Sequence, residues 1–252
     1  MGYGNYIDPF VALRAPQDDK DVIPSEASSV IPSEASSVIP SEASSVIPSE
    51  ASPVIPSEAS SVIPSEAKES YVVGAGEKLE LTFVVLPGES RDIDVAIDLV
   101  GEGAEVSLKG LYLCGGDERV NFRILMHHRA GGCVSHQLFN GIAGGTSRVT
   151  FDGRIIVAPD AQQTEACQEN HNIVLTDGAH VETTPQLEIY ADDVKCSHGA
   201  TTGRLDEDAL FYMRTRGVPE AEAKVLQMIS FLSPVTPEDD RGRVEQAILH
   251  LV

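Results

Sequence analysis

A chain of 252 residues, 42% hydrophobic and without tryptophan, can bury one sizeable core or at most two small ones. Its formal net charge of -21 and isoelectric point near 4.5 repel phosphate backbones, which argues against nucleic acid as a partner. No run of 18 apolar residues is present, so no membrane span is expected. The opening MGYGNYIDPFVALRAPQDDK has no basic stretch followed by an apolar run, so no secretory signal is expected either.

Residues 22–69 are a tandem repeat. The octad VIPSEASS starts at Val22, Val30, Val38 and Val54 and returns with small changes at Val46 and Val62. Each copy offers only Val and Ile as large apolar residues, and a proline follows at once. Proline removes a backbone donor and drives the preceding residue to extended geometry. Two such residues in eight cannot offset the entropy of ordering the rest. Residues 1–69 are therefore expected to form a low-complexity, disordered tail, since a period of eight with an obligate proline fits no common solenoid.

From about Tyr71 the pattern becomes that of β-strands. In RDIDVAIDLV, Ile93, Val95, Ile97 and Leu99 fall on one face and Asp92, Asp94, Ala96 and Asp98 on the other. KLELTFVVL repeats the alternation. AEVSLKGLYL, RVNFRILMHH, CVSHQLFNG, SRVTFDGRIIV, HNIVL and QLEIYADDVKCSH are further strand candidates, separated by Gly, Asp, Asn and Pro clusters. Starts recur roughly every 12–16 residues with no helical segment between them. That spacing excludes βαβ units and predicts a sandwich or a β-solenoid over residues 70–204.

The end of the chain is helical. LDEDALFYMRTRGV places Leu205, Ala209, Leu210 and Met213 at helical spacing, with Gly217 as C-cap. Pro219 opens PEAEAKVLQMISFL, and PEDDRGRVEQAILHLV starts with acids suited to a helix N-terminus. Residues 205–252 are thus expected to form a small helical cap.

Several side chains could carry chemistry. Cys114, Cys133, Cys167 and Cys196 are spread without a CxxC pair, which argues against a zinc site or a disulfide scaffold and for reduced cytoplasmic thiols. Cys196 and His198 lie two apart in an extended segment and share a face. A thiolate and an imidazole suit iron–sulfur clusters and soft metals, but one of each is half a ligand set, and completion needs a second chain. The plainer alternative is a core-facing cysteine with a hydrogen-bonded histidine beside it. Asp192 and Asp193 form an acid pair of the kind used by β-helix carbohydrate enzymes, although neighbours on a strand face opposite sides. Gln168, Asn170 and Asn172 alternate and form an amide ladder on one face. His127, His128 and His136 would make a metal cluster only if their strands stacked in register. No Walker A, GxSxG or HExxH motif occurs.

The stretch from Gln163 to Gly217 carries a specific resemblance. Its Q-x-N-x-N run, PQLEIYADDVKCSHGAT and the following D-x-D-A-L-F-Y-x-R-x-R-G helix are similar to the C-terminal core motif of the SufB/SufD family of iron–sulfur cluster assembly scaffolds, in its SufD type. FVVLPGESRDIDVAIDLVGEGAEVSLKGLYL and FDGRIIVAPDAQQTEA resemble the family's β body. The similarity covers about residues 75–252, and the repeat tail has no counterpart. The resemblance implies a right-handed parallel β-helix followed by a helical domain. It further implies a non-enzymatic scaffold subunit in the cytoplasm that pairs with a SufB-like subunit. A separate SufC-like ATPase would dock on the helical cap. His198 would then serve in forming a transient iron–sulfur cluster at the subunit interface, with ligands from the SufB-like partner, and Cys196 would be a second candidate there. The readings set against this are a β-helix lyase or hydrolase using Asp192 and Asp193, and a degenerate paralogue that no longer assembles.

The repeat reading has a direct check. Limited proteolysis is expected to remove about residues 1–69 and leave a stable core, whereas strong amide-exchange protection within the octads would contradict it.

Overall fold

The computed structural model describes residues 66–252 apart from Glu89, so the tail expected over 1–69 falls almost wholly outside the described residues. Ten strands alternate between two sheets. Strands β1 (Glu66–Val73), β3 (Arg91–Leu99), β5 (Arg119–His128), β7 (Arg148–Val157) and β9 (His180–Ile189) form the first sheet in that order. Strands β2 (Lys78–Val85), β4 (Glu105–Cys114), β6 (Val134–Ala143), β8 (Glu165–Val174) and β10 (Lys195–Gly203) form the second. Every pairing is parallel. Two strands make one turn of a parallel β-solenoid of about five turns, the β-helix class implied by the resemblance.

Alternation along each strand decides what fills the solenoid. In β3, Ile93, Val95, Ile97 and Leu99 are buried, while the aspartates between them face water. Arginines one turn on answer those aspartates, Arg123 beside Asp94 at 3.5 Å and Arg129 beside Asp98 at 2.6 Å. Inside, Phe122, Phe139 and Phe151 pack ring against ring with centroids 5.4 and 4.8 Å apart. Where a large side chain lies across a neighbouring position of the interior, glycine takes that position. A Cβ on Gly141 would lie 1.8 Å from the Tyr112 ring, and one on Gly153 would lie 2.4 Å from Gln168 Nε2.

Three helices follow, α1 (Glu207–Thr215), α2 (Glu220–Leu232) and α3 (Arg241–Leu249). Asp206 caps α1 by accepting from the N–H groups of Asp208 and Ala209. Gly217 has φ of 88°, and the N–H groups of Gly217 and Val218 return to Arg214 and Met213, which closes the helix as its sequence predicts. The helices do not cover an end of the solenoid. Met228, Leu232, Val244 and Ile248 bury the outward residues Val84, Leu111, Leu113 and Ile142 of the second sheet, and Asn140 Nδ2 donates to the Phe231 carbonyl at 2.7 Å.

Four strands differ from the sequence reading. β1 begins at Glu66, four residues ahead of the boundary set at 70, because an edge strand pairing with β3 along Asp92–Leu99 needs no apolar pattern of its own at that point. QLEIYADDVKCSH is not one strand. It holds the end of β9, a turn at 190–194 and the start of β10. β9 itself starts at His180, in the polar run HVETT that shows no strand signal, and it carries Pro185, tolerated because β9 is the outermost strand of its sheet. β8 likewise begins at Glu165, well before HNIVL.

His128 is the one imidazole sealed inside, with Nε2 2.9 Å from Ser135 Oγ. Burial pushes its pKa down to about 4, with the neighbouring His127 adding a smaller push. An unfolded histidine titrates near 6.5, so above that pH neither state carries the charge and stability is complete. As pH falls from 6.5 towards 4, the unfolded chain binds a proton that the fold refuses, and stability drops by about 3 kcal/mol. Denaturant melts at pH 7 and 4.5 are expected to show this loss in the wild type and a clearly smaller one in His128→Leu.

Candidate functional site

Cys196 and His198 sit on β10, the last strand of the second sheet, with one neighbour, β8, among the described residues. Their inward direction follows from register. Cys196 pairs with Ala166 and His198 with Gln168, both fully inside. Cys196 is half-buried against the core, and that burial pushes its thiol pKa up, partly offset by a backbone hydrogen bond from Ala166. His198 is exposed although it points inward, because no described strand lies beyond β9 and β10 to close the last turn. Among the described residues the solenoid is therefore open at this end, and a thiol and an imidazole stand in the opening. Among the described residues, no three or more His, Cys, Asp or Glu side chains are grouped to hold a metal ion.

Beneath the opening the interior is polar. Stacked in register, the inward files of the second sheet read Val106, Ser135, Ala166, Cys196; then Leu108, Gln137, Gln168, His198; and then Tyr112, Gly141, Asn172, Thr202. The second and third turn polar towards the open end, the first passes through Ala166 before Cys196, and a fourth file reads Gly110, Phe139, Asn170, Ala200. Gln168 Nε2 donates to Gln137 Oε1 at 3.0 Å, Asn172 Nδ2 donates to Asn170 Oδ1 at 2.7 Å, and the Tyr112 hydroxyl donates to Asn172 Oδ1 at 2.6 Å. The amide ladder expected over Gln168, Asn170 and Asn172 is thus present and lies inside. Gln168 Oε1, Gln137 Nε2, Asn170 Nδ2 and, on β9, Thr183 Oγ1 are buried without a partner.

A family model described as the SUF system FeS cluster assembly, SufBD core domain, matches residues 60–231, which is more than half of the chain. The iron-sulfur cluster assembly protein SufD of Escherichia coli is 36% identical over 159 residues, covering 63% of this chain and 38% of that protein. A SufBD family protein of Mycobacterium bovis is 30% identical over 190 residues, with 71% and 48% covered. SufD of Bacillus subtilis is 27% identical over 165 residues, with 66% and 38% covered. This chain is a SufD-type member of the SufB/SufD family. It spans less than half the length of each of these relatives.

The other candidates in this SufD-type chain fall elsewhere. Asp192 and Asp193 lie side by side in the turn between β9 and β10, both exposed. Asp193 is engaged through its backbone, donating to Gln162 Oε1 at 2.9 Å and accepting from Gln163 at 2.6 Å. The hollows lined by Val225 and Leu249, and by Thr201 and Phe231, include neither aspartate. The three histidines are not brought together. His127 faces outward beside Asp98, His128 points into the core, and His136 is on the outer face of the opposite sheet. Cys114 and Cys133 are buried free thiols, and Cys167 accepts from Ser197 Oγ at 3.5 Å on the outer face. Sequence reasoning missed Gln137, whose role exists only through its neighbour 31 residues away. It also passed over Phe211 and Tyr212. They fall off the apolar face of α1 and stand 67% and 59% exposed, with the Arg216 guanidinium 5.2 Å from the Tyr212 ring centroid.

Proposed function

We propose that this chain is a SufD-type scaffold subunit for iron–sulfur cluster assembly, not an enzyme, and that the cluster forms at its open end. The observation that carries this reading is the placement of Cys196 and His198 inside the mouth of an unclosed turn. They supply a soft thiolate and an imidazole, the donors that iron–sulfur chemistry uses, yet only part of a ligand set. A second subunit laid against β9 and β10 would add the remaining ligands, bury the exposed imidazole and occupy two strand edges that are unpaired among the described residues. Open edges of this kind are templates for pairing by strand addition. A SufB-like subunit is the partner this proposal assigns there, and the cluster is a transient product of the interface, absent from the isolated chain. The working place is the cytoplasm, in keeping with free thiols and with described helices too short or too polar to cross a membrane.

The test is co-expression with the host SufB and SufC, followed by anaerobic iron and sulfide analysis. His198→Ala is expected to leave the complex intact and to lower cluster yield strongly. His136→Ala, on the outer face, is expected to behave as wild type. Cys196→Ser should cost less if the half-buried thiol serves mainly to pack. A midpoint lower by several degrees with unchanged cluster per folded complex would overturn the ligand role.

The helical layer is proposed as the dock for a SufC-like ATPase. Phe211 and Tyr212 present an exposed aromatic surface that belongs to neither hydrophobic core of the described fold, the composition expected of interface anchors. Removing 218–252 would uncover Leu111, Leu113 and Ile142, so point substitutions are the cleaner test. Phe211→Ala with Tyr212→Ala is expected to weaken SufC binding by at least tenfold in a pull-down or calorimetric titration and to leave the melting midpoint unchanged. Undiminished binding would remove this face from consideration.

A further inference from the structure

The ligand role proposed for His198 requires a ring held in one orientation, and the column beneath it contains the group to do so. Gln168 is 0% exposed. Its Nε2 is committed to Gln137 Oε1, which fixes the amide plane and leaves Oε1 as a buried acceptor with no donor. Burying an acceptor unpaired is a cost to the fold that any nearby donor relieves. His198 is the next rung of the same file, directly in register with Gln168. Adjacent rungs are about 4.8 Å apart, and a neutral imidazole carries one N–H. Behind Gln168 the missing side chain of Gly153 leaves the amide room to lie across the interior.

We propose that Gln168 is the positioning residue for His198. Its Oε1 accepts the imidazole N–H, which selects one tautomer and turns the lone pair of the other ring nitrogen out of the open end. Gln137 acts one rung deeper by holding the Gln168 amide in the orientation that presents oxygen. The column thus does for His198 what carboxylates or carbonyls do behind metal-bound histidines generally. The inference rests on the ligand reading of His198; in the structure Gln168 Oε1 is unpaired and the His198 ring is exposed, so the contact requires the ring to turn inward, which can be tested on the free chain.

The experiment is long-range proton–nitrogen NMR of the nitrogen-15 labelled full chain near pH 8, with the His198 signal assigned by its loss in His198→Ala. Wild type is expected to give the widely separated ring-nitrogen shifts of a single neutral tautomer. Gln168→Met, close in size but without an acceptor, is expected to give averaged shifts for His198, while the His128 signals beside Ser135 stay fixed and report an intact core. Gln168→Glu keeps an acceptor at the position and is expected to restore the single tautomer. It also decides the question should the methionine variant fail to fold. Averaged shifts in the wild type, or an unchanged single tautomer in Gln168→Met, would overturn the proposal, the second result assigning the free oxygen to another donor such as Thr183. Cluster yield in the co-expressed complex separates the two claims. A changed tautomer with a several-fold loss of cluster supports both. A changed tautomer with undiminished cluster supports the positioning and overturns the ligand role.

Discussion

The rest of this molecule depends on parallel in-register stacking. In each sheet a side chain rests on the residue at the same position of the neighbouring turn, about 4.8 Å away and some thirty residues off in sequence. That rule fixes what can follow what. Tyr112 requires Gly141 beside it, Gln168 crosses to the space left by Gly153, and the phenylalanines of β5, β6 and β7 interleave between the sheets. It also makes a buried polar residue expensive unless another in its column can answer it, which Gln137 does for Gln168 one turn away and Tyr112 does for Asn172 two turns away, past Gly141.

Stacking also produces a direction along the solenoid axis. Three inward files of the second sheet change from Val, Leu and Tyr to Cys, His and Thr, and the last turn has no described neighbour to close it. Hydrophobic stability is concentrated in the earlier turns and under the helices, where apolar residues are sealed on both faces of the second sheet. The final turn contributes least to the core and holds the groups with the most chemistry. A surface built this way gains from being covered, which is why the proposed assembly site and the proposed partner edge coincide.

Legibility in the sequence followed the strength of alternation. β3 could be read outright because four buried aliphatics alternate with polar residues. β9 could not, since in a half-exposed outermost strand Val181, Thr183 and Pro185 give little contrast to Glu182 and Thr184. The amide ladder was legible as a shared face, but whether that face pointed in or out was not. Asp192 and Asp193 looked like strand residues until the turn was placed, and the three histidines looked like a possible cluster until each proved to face a different compartment.

What the sequence by itself determined was the strand period, the three helices with the Gly217 cap, the family motif around PQLEIYADDVKCSHGAT, and the common face of Cys196 and His198. These are local properties, set by alternation, by proline and glycine chemistry, and by residues a few positions apart. Only the tertiary structure decided that this face opens at the unclosed end of a solenoid, that Gln137 and Gln168 stand beneath it, and that the helices cover a sheet and leave that end free. Those facts come from pairing between residues some thirty positions apart, and the register of a parallel sheet is set by the packing of whole turns, which no short stretch of sequence contains.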